Sequence, residues 1–123
     1  ENPPPGYPNL EVYLPLFLTY IKKGLLNFNK TLRCLTENPS KYLGIKKGKI
    51  EEGYYADFVI VNMKEEYKID PSKFYSKSKF SPFEGFEVIG KPYVTIIRGK
   101  IIYENGIFDL NNFKPKEIKE LRF

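Results

Sequence analysis

The chain contains no histidine, one cysteine and 15 carboxylate side chains, and this inventory limits the reactions it can run with its own residues. Zinc sites of the HExxH type, Ser-His-Asp triads, Cys-His pairs and binuclear His-rich centres all need imidazole. Ligands for any such centre must come from elsewhere. Cys34 lies beside Leu32 and Leu35, where the expectation is a buried, inert thiol, since no imidazole can draw off its proton. GKIEEG, residues 48–53, has the glycine spacing of a phosphate loop but continues with Tyr54-Tyr55 in place of Lys-Ser/Thr, so it reads as strand and turn. KFYSKSKF, residues 73–80, interleaves Lys with aromatics as single-strand binders do. A Lys-rich solvated loop has the same pattern, and salt-sensitive RNA binding would separate the two. Asp57 follows a turn and precedes an apolar run, which suits a carboxylate hydrogen-bonding turn backbone better than a catalytic one. The pairs Glu51-Glu52 and Glu65-Glu66 alternate faces on a strand and are expected to be solvated.

The elements that must position these residues come from 123 residues, enough for one domain burying about two-thirds of its unfolded surface. Hydrophobic residues at 41% and charged residues at 28% are ordinary for a globular chain, with Phe and Tyr supplying every aromatic. The net charge of +5 is spread along the sequence and leaves no nucleic-acid footprint. One cysteine rules out an internal disulfide, no run of about 18 uncharged apolar residues exists, and no secretory leader is evident. The expectation is a soluble, cytoplasmic protein with no nucleic-acid or membrane partner.

A first helix is expected from Asn9 as cap, with Glu11 in its first turn and Leu10, Leu14, Phe17, Leu18, Ile21 and Leu25 on one face. Val12, Tyr13, Leu16 and Tyr20 make the opposite face apolar too, so this helix must be packed on several sides. Pro15 should kink it and Gly24 stop it. A second helix is expected around Phe28 to Glu37, with Leu32 and Leu35 inward. Asn38-Pro39 then opens a short helix that Gly44 ends. After Gly44 the pattern turns to strands: Lys49 to Glu51, a turn at Gly53, a buried strand over Phe58 to Val61, then two β-branched runs joined by a tight hairpin at Arg98-Gly99. KIDPSKFYSKSKFSPFEGFEV between them is loop-like. Helices precede strands, with no internal repeat.

PPPGYPNLEVYLPLFLTYIKKGLL, LTENPSKYLGI, GKIEEGYYADFVIV and YSKSKFSPFEGFEVIGKPYVTIIRGKIIYENG, in that order, resemble the carboxyl-terminal third of the dihydroorotases of the amidohydrolase superfamily. The likeness runs from Pro3 to Phe108. Its helix, ENP and GxIxxGxxADFVIV pieces are shared with hydantoinases and allantoinases, whereas PPPGYPNLE and YSKSKFSPFEG point more narrowly to dihydroorotase.

The resemblance implies an α/β fold: the carboxyl-terminal helices of a (β/α)8 TIM-type barrel in residues 1–44, part of a small β-sandwich in 45–108, and a tail in 109–123. It implies an enzyme of pyrimidine biosynthesis that binds one or two zinc ions and hydrolyses or closes the cyclic amide of dihydroorotate. Catalytic and metal-binding positions are then expected upstream of this chain, and none is assigned within it. Pro5 and Gly6 match the Pro-Gly whose backbone meets the substrate, glycine permitting close approach. The expected partners are a larger amino-terminal portion of the same enzyme and a small-molecule substrate. Homo-oligomerisation and association with another enzyme of the pathway stay open. The alternatives are another cyclic amidohydrolase, a hydantoinase or allantoinase, or a non-enzymatic member of the superfamily.

Overall fold

The computed structural model describes residues 6–111 and 113–117. Helices α1 (Tyr13–Lys22), α2 (Phe28–Leu35) and α3 (Glu37–Leu43) precede strands β1 (Phe58–Lys68), β2 (Glu87–Ile97), β3 (Lys100–Glu104) and β4 (Ile107–Phe108), with a 3₁₀ turn at Pro71–Lys73. The strands form one sheet in the order β1-β2-β3-β4. Pairing is antiparallel between β2 and β3 and between β3 and β4. The chain divides into two compact units, Glu1–Leu26 with Met63–Lys91 and Asn27–Asn62 with Pro92–Phe123.

In the first unit α1 begins later than its apolar pattern suggests. Asn9 does not cap it with its side chain; its carbonyl accepts the N–H groups of Val12 and Tyr13 at 3.1 Å each, and no side-chain cap is made at Val12. Glu11 therefore lies before the helix instead of in its first turn. Pro15 becomes the third helical residue, where the N–H has no intrahelical partner to lose, so the expected kink has no hydrogen bond to break. The helix ends at Lys22, and Gly24 donates its N–H to the Ile21 carbonyl at 2.9 Å. Val12, Ile69, Phe74 and Val88 form the buried core, with Leu16, Tyr67 and Phe83 packed against it. Each such side chain is worth about 1.5–3 kcal/mol relative to exposure. Thr19 fastens α1 to β2: its hydroxyl donates to the Pro15 carbonyl at 2.7 Å and accepts the Ile89 N–H at 2.8 Å.

In the second unit the Asn27 carboxamide oxygen accepts the Lys30 N–H at 3.0 Å and caps α2, an interaction typically worth about 1 kcal/mol. The third helix starts at Glu37, so Asn38 is not its cap and Pro39 is its third residue, again within the first turn. Gly44 closes it as expected, in the left-handed conformation. Lys49 to Glu51 form no strand; the segment bends, and the Glu51 carbonyl accepts the Tyr54 N–H at 3.1 Å to close the turn at Gly53. Strand β1 does begin at Phe58 but runs on to Lys68. Its apolar run is not buried: Val59 is 48% and Ile60 52% exposed, because the described residues do not cover both faces of the strand. The hairpin at Arg98-Gly99 is present, with φ of 50° and 76°, the pair of positive values that matches strand twist. A register shift between Thr95 and Ile96 marks a bulge against β3.

Candidate functional site

Of the two residues matched to a substrate contact, Pro5 lies outside the described residues and Gly6 is exposed in the coil that leads to α1. A Cβ at Gly6 would meet nothing within 4 Å. The packing of this chain therefore gives no reason for glycine there.

The residues after Gly6 are fixed from two directions. The Tyr7 ring stands edge-on to Phe83, centroids 5.8 Å apart at 72°, and Phe83 meets Phe86 in the same manner at 5.5 Å. Glu11 accepts the backbone N–H groups of Tyr75 and Ser76, one on each carboxylate oxygen, both at 2.9 Å. Such charge-assisted bonds are stronger than neutral ones. The segment they hold, KFYSKSKF, is tied internally as well. Phe74 is part of the core, and the Lys79 ammonium donates to the Phe74 carbonyl. Seated in the core, Phe74 has no ring face free to stack on a base, whereas Tyr75 and Phe80 of the same stretch are exposed. Just before it, Asp70 accepts from the Ser72 hydroxyl at 2.6 Å and pairs with Lys73 at 3.2 Å. The Ser72 bond, seconded by Lys73, holds the Asp70 carboxyl below the usual carboxylate range.

Asp57 has the structural role expected of it, though the turn it serves is distant in sequence. One oxygen accepts the Arg98 N–H at 2.7 Å, within the β2–β3 hairpin, and the other accepts from the Lys47 ammonium. Cys34 is exposed, not buried, with the Asn38 amide 3.8 Å from its sulfur. The α2 positions beside it, Leu32 and Leu35, are half-buried. Glu51 and Glu52 are exposed in the turn, Glu51 pairing with Lys49 at 3.6 Å, while Glu65 pairs with Lys91 at 3.0 Å and Glu66 with Lys22 at 3.9 Å. An open groove of about 450 Å³ runs past Thr19, Lys23, Glu66, Lys68 and Glu87. Its charges are largely matched, Lys68 lying 3.8 Å from Glu87. Among the described residues no group of three or more His, Cys, Asp or Glu side chains is placed to hold a metal ion. No helix among them is long and apolar enough to cross a membrane.

The sequence profile of the amidohydrolase family matches residues 12–102. The chain belongs to the amidohydrolase family. Among curated relatives, a dihydroorotase from Methanothermobacter thermautotrophicus is 44% identical over 84% of the chain and 24% of its own length. Among solved structures, an L-hydantoinase (dihydropyrimidinase) from Arthrobacter aurescens superposes with a TM-score of 0.75 at 35% identity, over 80% of the chain and 23% of the hydantoinase. A D-hydantoinase (dihydropyrimidinase) from Thermus sp. gives a TM-score of 0.80 at 29% identity, over 86% of the chain and 24% of that protein. The chain thus spans about a quarter of the length of the amidohydrolases it matches. Its helices followed by a sheet are an α/β arrangement shared with the hydantoinases.

The fastening of Tyr7 and Glu11 to residues 75–83 was not foreseen from sequence. Tyr7 and Glu11 lie in PPPGYPNLE, and their partners Tyr75, Ser76 and Phe83 in YSKSKFSPFEG, so the contacts join two stretches on which the sequence resemblance rests.

Proposed function

We propose that the chain is the carboxyl-terminal portion of a dihydroorotase, a cytoplasmic enzyme that reversibly hydrolyses the cyclic amide of dihydroorotate to N-carbamoyl-aspartate in pyrimidine biosynthesis. The observation that carries this reading is the 44% identity to a dihydroorotase over 84% of the chain, against 35% for the hydantoinase. In this reading residues 1–44 contribute the last helices of a (β/α)8 barrel, 45–108 a share of a β-sandwich, and 109–123 a tail.

The zinc implied by the family finds no donor set among the described residues. Its ligands, and the residue that moves the proton, then belong to a larger amino-terminal portion of the enzyme. That partner is also supported by the aromatic stripe of α1, where Tyr13 and Phe17 are each 36% and Tyr20 is 41% exposed. Spaced four and three residues apart, they share one helix face and need cover. What this chain offers the substrate in this reading is backbone at Pro5 and Gly6, the glycine admitting a ligand closely because it has no side chain.

The hydantoinase likeness favours a second reading, ring opening of a hydantoin by the same fold. Assaying the complete protein with dihydroorotate, hydantoin and allantoin separates the two. Turnover confined to dihydroorotate is expected; preference for hydantoin would replace this reading with the second. Gly6→Val, whose Cβ would meet none of the described residues within 4 Å, should raise KM or lower kcat with zinc content unchanged. Unaltered kinetics would remove Gly6 from the site.

A further inference from the structure

We propose that Glu11 and Tyr7 are positioning residues that set the course of the Gly6 backbone by fastening residues 6–11 to the loop of residues 74–86. The proposal rests on the reading that Gly6 meets the substrate.

The geometry supplies two anchors at opposite ends of a short segment. Tyr7, the neighbour of Gly6, lays its ring edge-on to Phe83. Glu11 holds the consecutive N–H groups of Tyr75 and Ser76 with separate oxygens. Between them, residues 6–9 have no helix or strand of their own to hold their course. The position of Gly6 is therefore set by what Tyr7 and Glu11 touch.

The platform beneath them is tied down at several points. Phe83 packs against the Val12, Ile69, Phe74 and Val88 core. Its N–H donates to the Ser81 hydroxyl at 3.2 Å, its carbonyl accepts the Phe86 N–H at 3.1 Å, and the Gly85 N–H donates to the Ile69 carbonyl at 2.8 Å. At the other end Lys79 closes the loop on the Phe74 carbonyl. A backbone that recognises a ligand must be held to within a fraction of an ångström, because small displacements of a positioned group are costly. These contacts tie the loop down without contributing a group to the reaction.

The test is kinetic and uses the complete enzyme. Glu11→Gln preserves shape but turns an amide NH₂ toward one of the two N–H donors, so one anchor bond is lost and a donor faces a donor. Phe83→Leu keeps an apolar side chain against the core while removing the ring that Tyr7 meets. Each should raise KM for dihydroorotate roughly five- to tenfold, with kcat within about twofold and zinc content unchanged. Combined with Gly6→Val, either should add less than its separate effect, because both changes act on one segment. A purely structural role would lower the melting temperature and leave KM where it was. If Gly6→Val raises KM while Glu11→Gln and Phe83→Leu do not, the positioning proposal is overturned and the substrate reading stands. If Gly6→Val also leaves the kinetics unaltered, the substrate reading fails and takes the proposal with it.

Discussion

Gly48 and Gly53 offer a controlled experiment in which the backbone conformation is nearly constant and only the surroundings change. Their φ values are 79° and 83°, both in the left-handed region. A Cβ at Gly53 would meet nothing within 4 Å. At Gly48 it would lie 2.5 Å from both the carbonyl carbon and oxygen of Thr36, and 2.9 Å from the Glu37 nitrogen. Those atoms are the peptide that joins α2 to α3, so no side-chain rotation can relieve the contact.

Gly53→Ala then isolates the conformational term. Forcing an L-residue into the left-handed region costs about 1–2 kcal/mol, and the smaller entropy of the unfolded alanine chain returns about 0.4–1 kcal/mol. A net loss near ~1 kcal/mol is expected there. Gly48→Ala carries the same terms plus an overpacking cost of about 1–3 kcal/mol, at the upper end because backbone must move. The difference between the two variants should be about 2–3 kcal/mol. Urea unfolding of the protein as purified reads it as a shift in midpoint at unchanged slope. Hydrogen exchange at the α2 and α3 amides should report faster opening for Gly48→Ala alone. Equal losses for the two variants would refute the close approach of residue 48 to the Thr36–Glu37 peptide.

Asp57→Ala strands both the Arg98 N–H and the Lys47 ammonium and should cost about 2–3 kcal/mol; Asp57→Asn keeps an acceptor for Arg98 and should cost less, an order that thermal denaturation checks. The Asp70 carboxyl is held low by Ser72 and Lys73, so its contribution is fully present above the unfolded pKa of about 3.9 and is lost as pH falls through the lowered folded value. Exchange at the Ser72 amide should show wild type protected over Asp70→Asn near neutrality, with the advantage shrinking in acid. The chain freed of any larger companion should neither hold zinc stoichiometrically nor turn over dihydroorotate; metal analysis and assay of a mass-verified sample decide this, and activity there would overturn the division of roles.

Elements announced by local chemistry were legible in the sequence. The Arg98-Gly99 hairpin sits between two β-branched runs and the Gly44 cap follows a short polar helix, so each is fixed by residues a few positions apart. The α1 boundary was misplaced because Leu10 continues the apolar spacing of the helix while the backbone there makes a turn on the Asn9 carbonyl. Burial was misjudged where it depends on neighbours. Phe58 to Val61 reads as a buried strand from its apolar run, but half the surface of Val59 and Ile60 stays open in the described residues. Cys34 is the same error in small: its apolar sequence neighbours do not share its helix face.

Glu11 shows why the candidate site was legible only as motif. From sequence, a carboxylate two residues after a potential cap belongs in the first turn of a helix, where the dipole rewards it by about 0.3–1 kcal/mol. Hydrogen bonds to a charged group are worth about 1.5–3 kcal/mol each, and Glu11 makes one to Tyr75 and one to Ser76. The larger interaction prevails, and α1 starts at Tyr13 with Glu11 outside it. Nothing near Glu11 in sequence announces those partners, which lie 64 and 65 positions away. Local spacing prices only local alternatives. A segment whose course is set by distant backbone donors can be recognised by a family motif long before its physics can be read, and here that physics places the two narrowest motifs in contact.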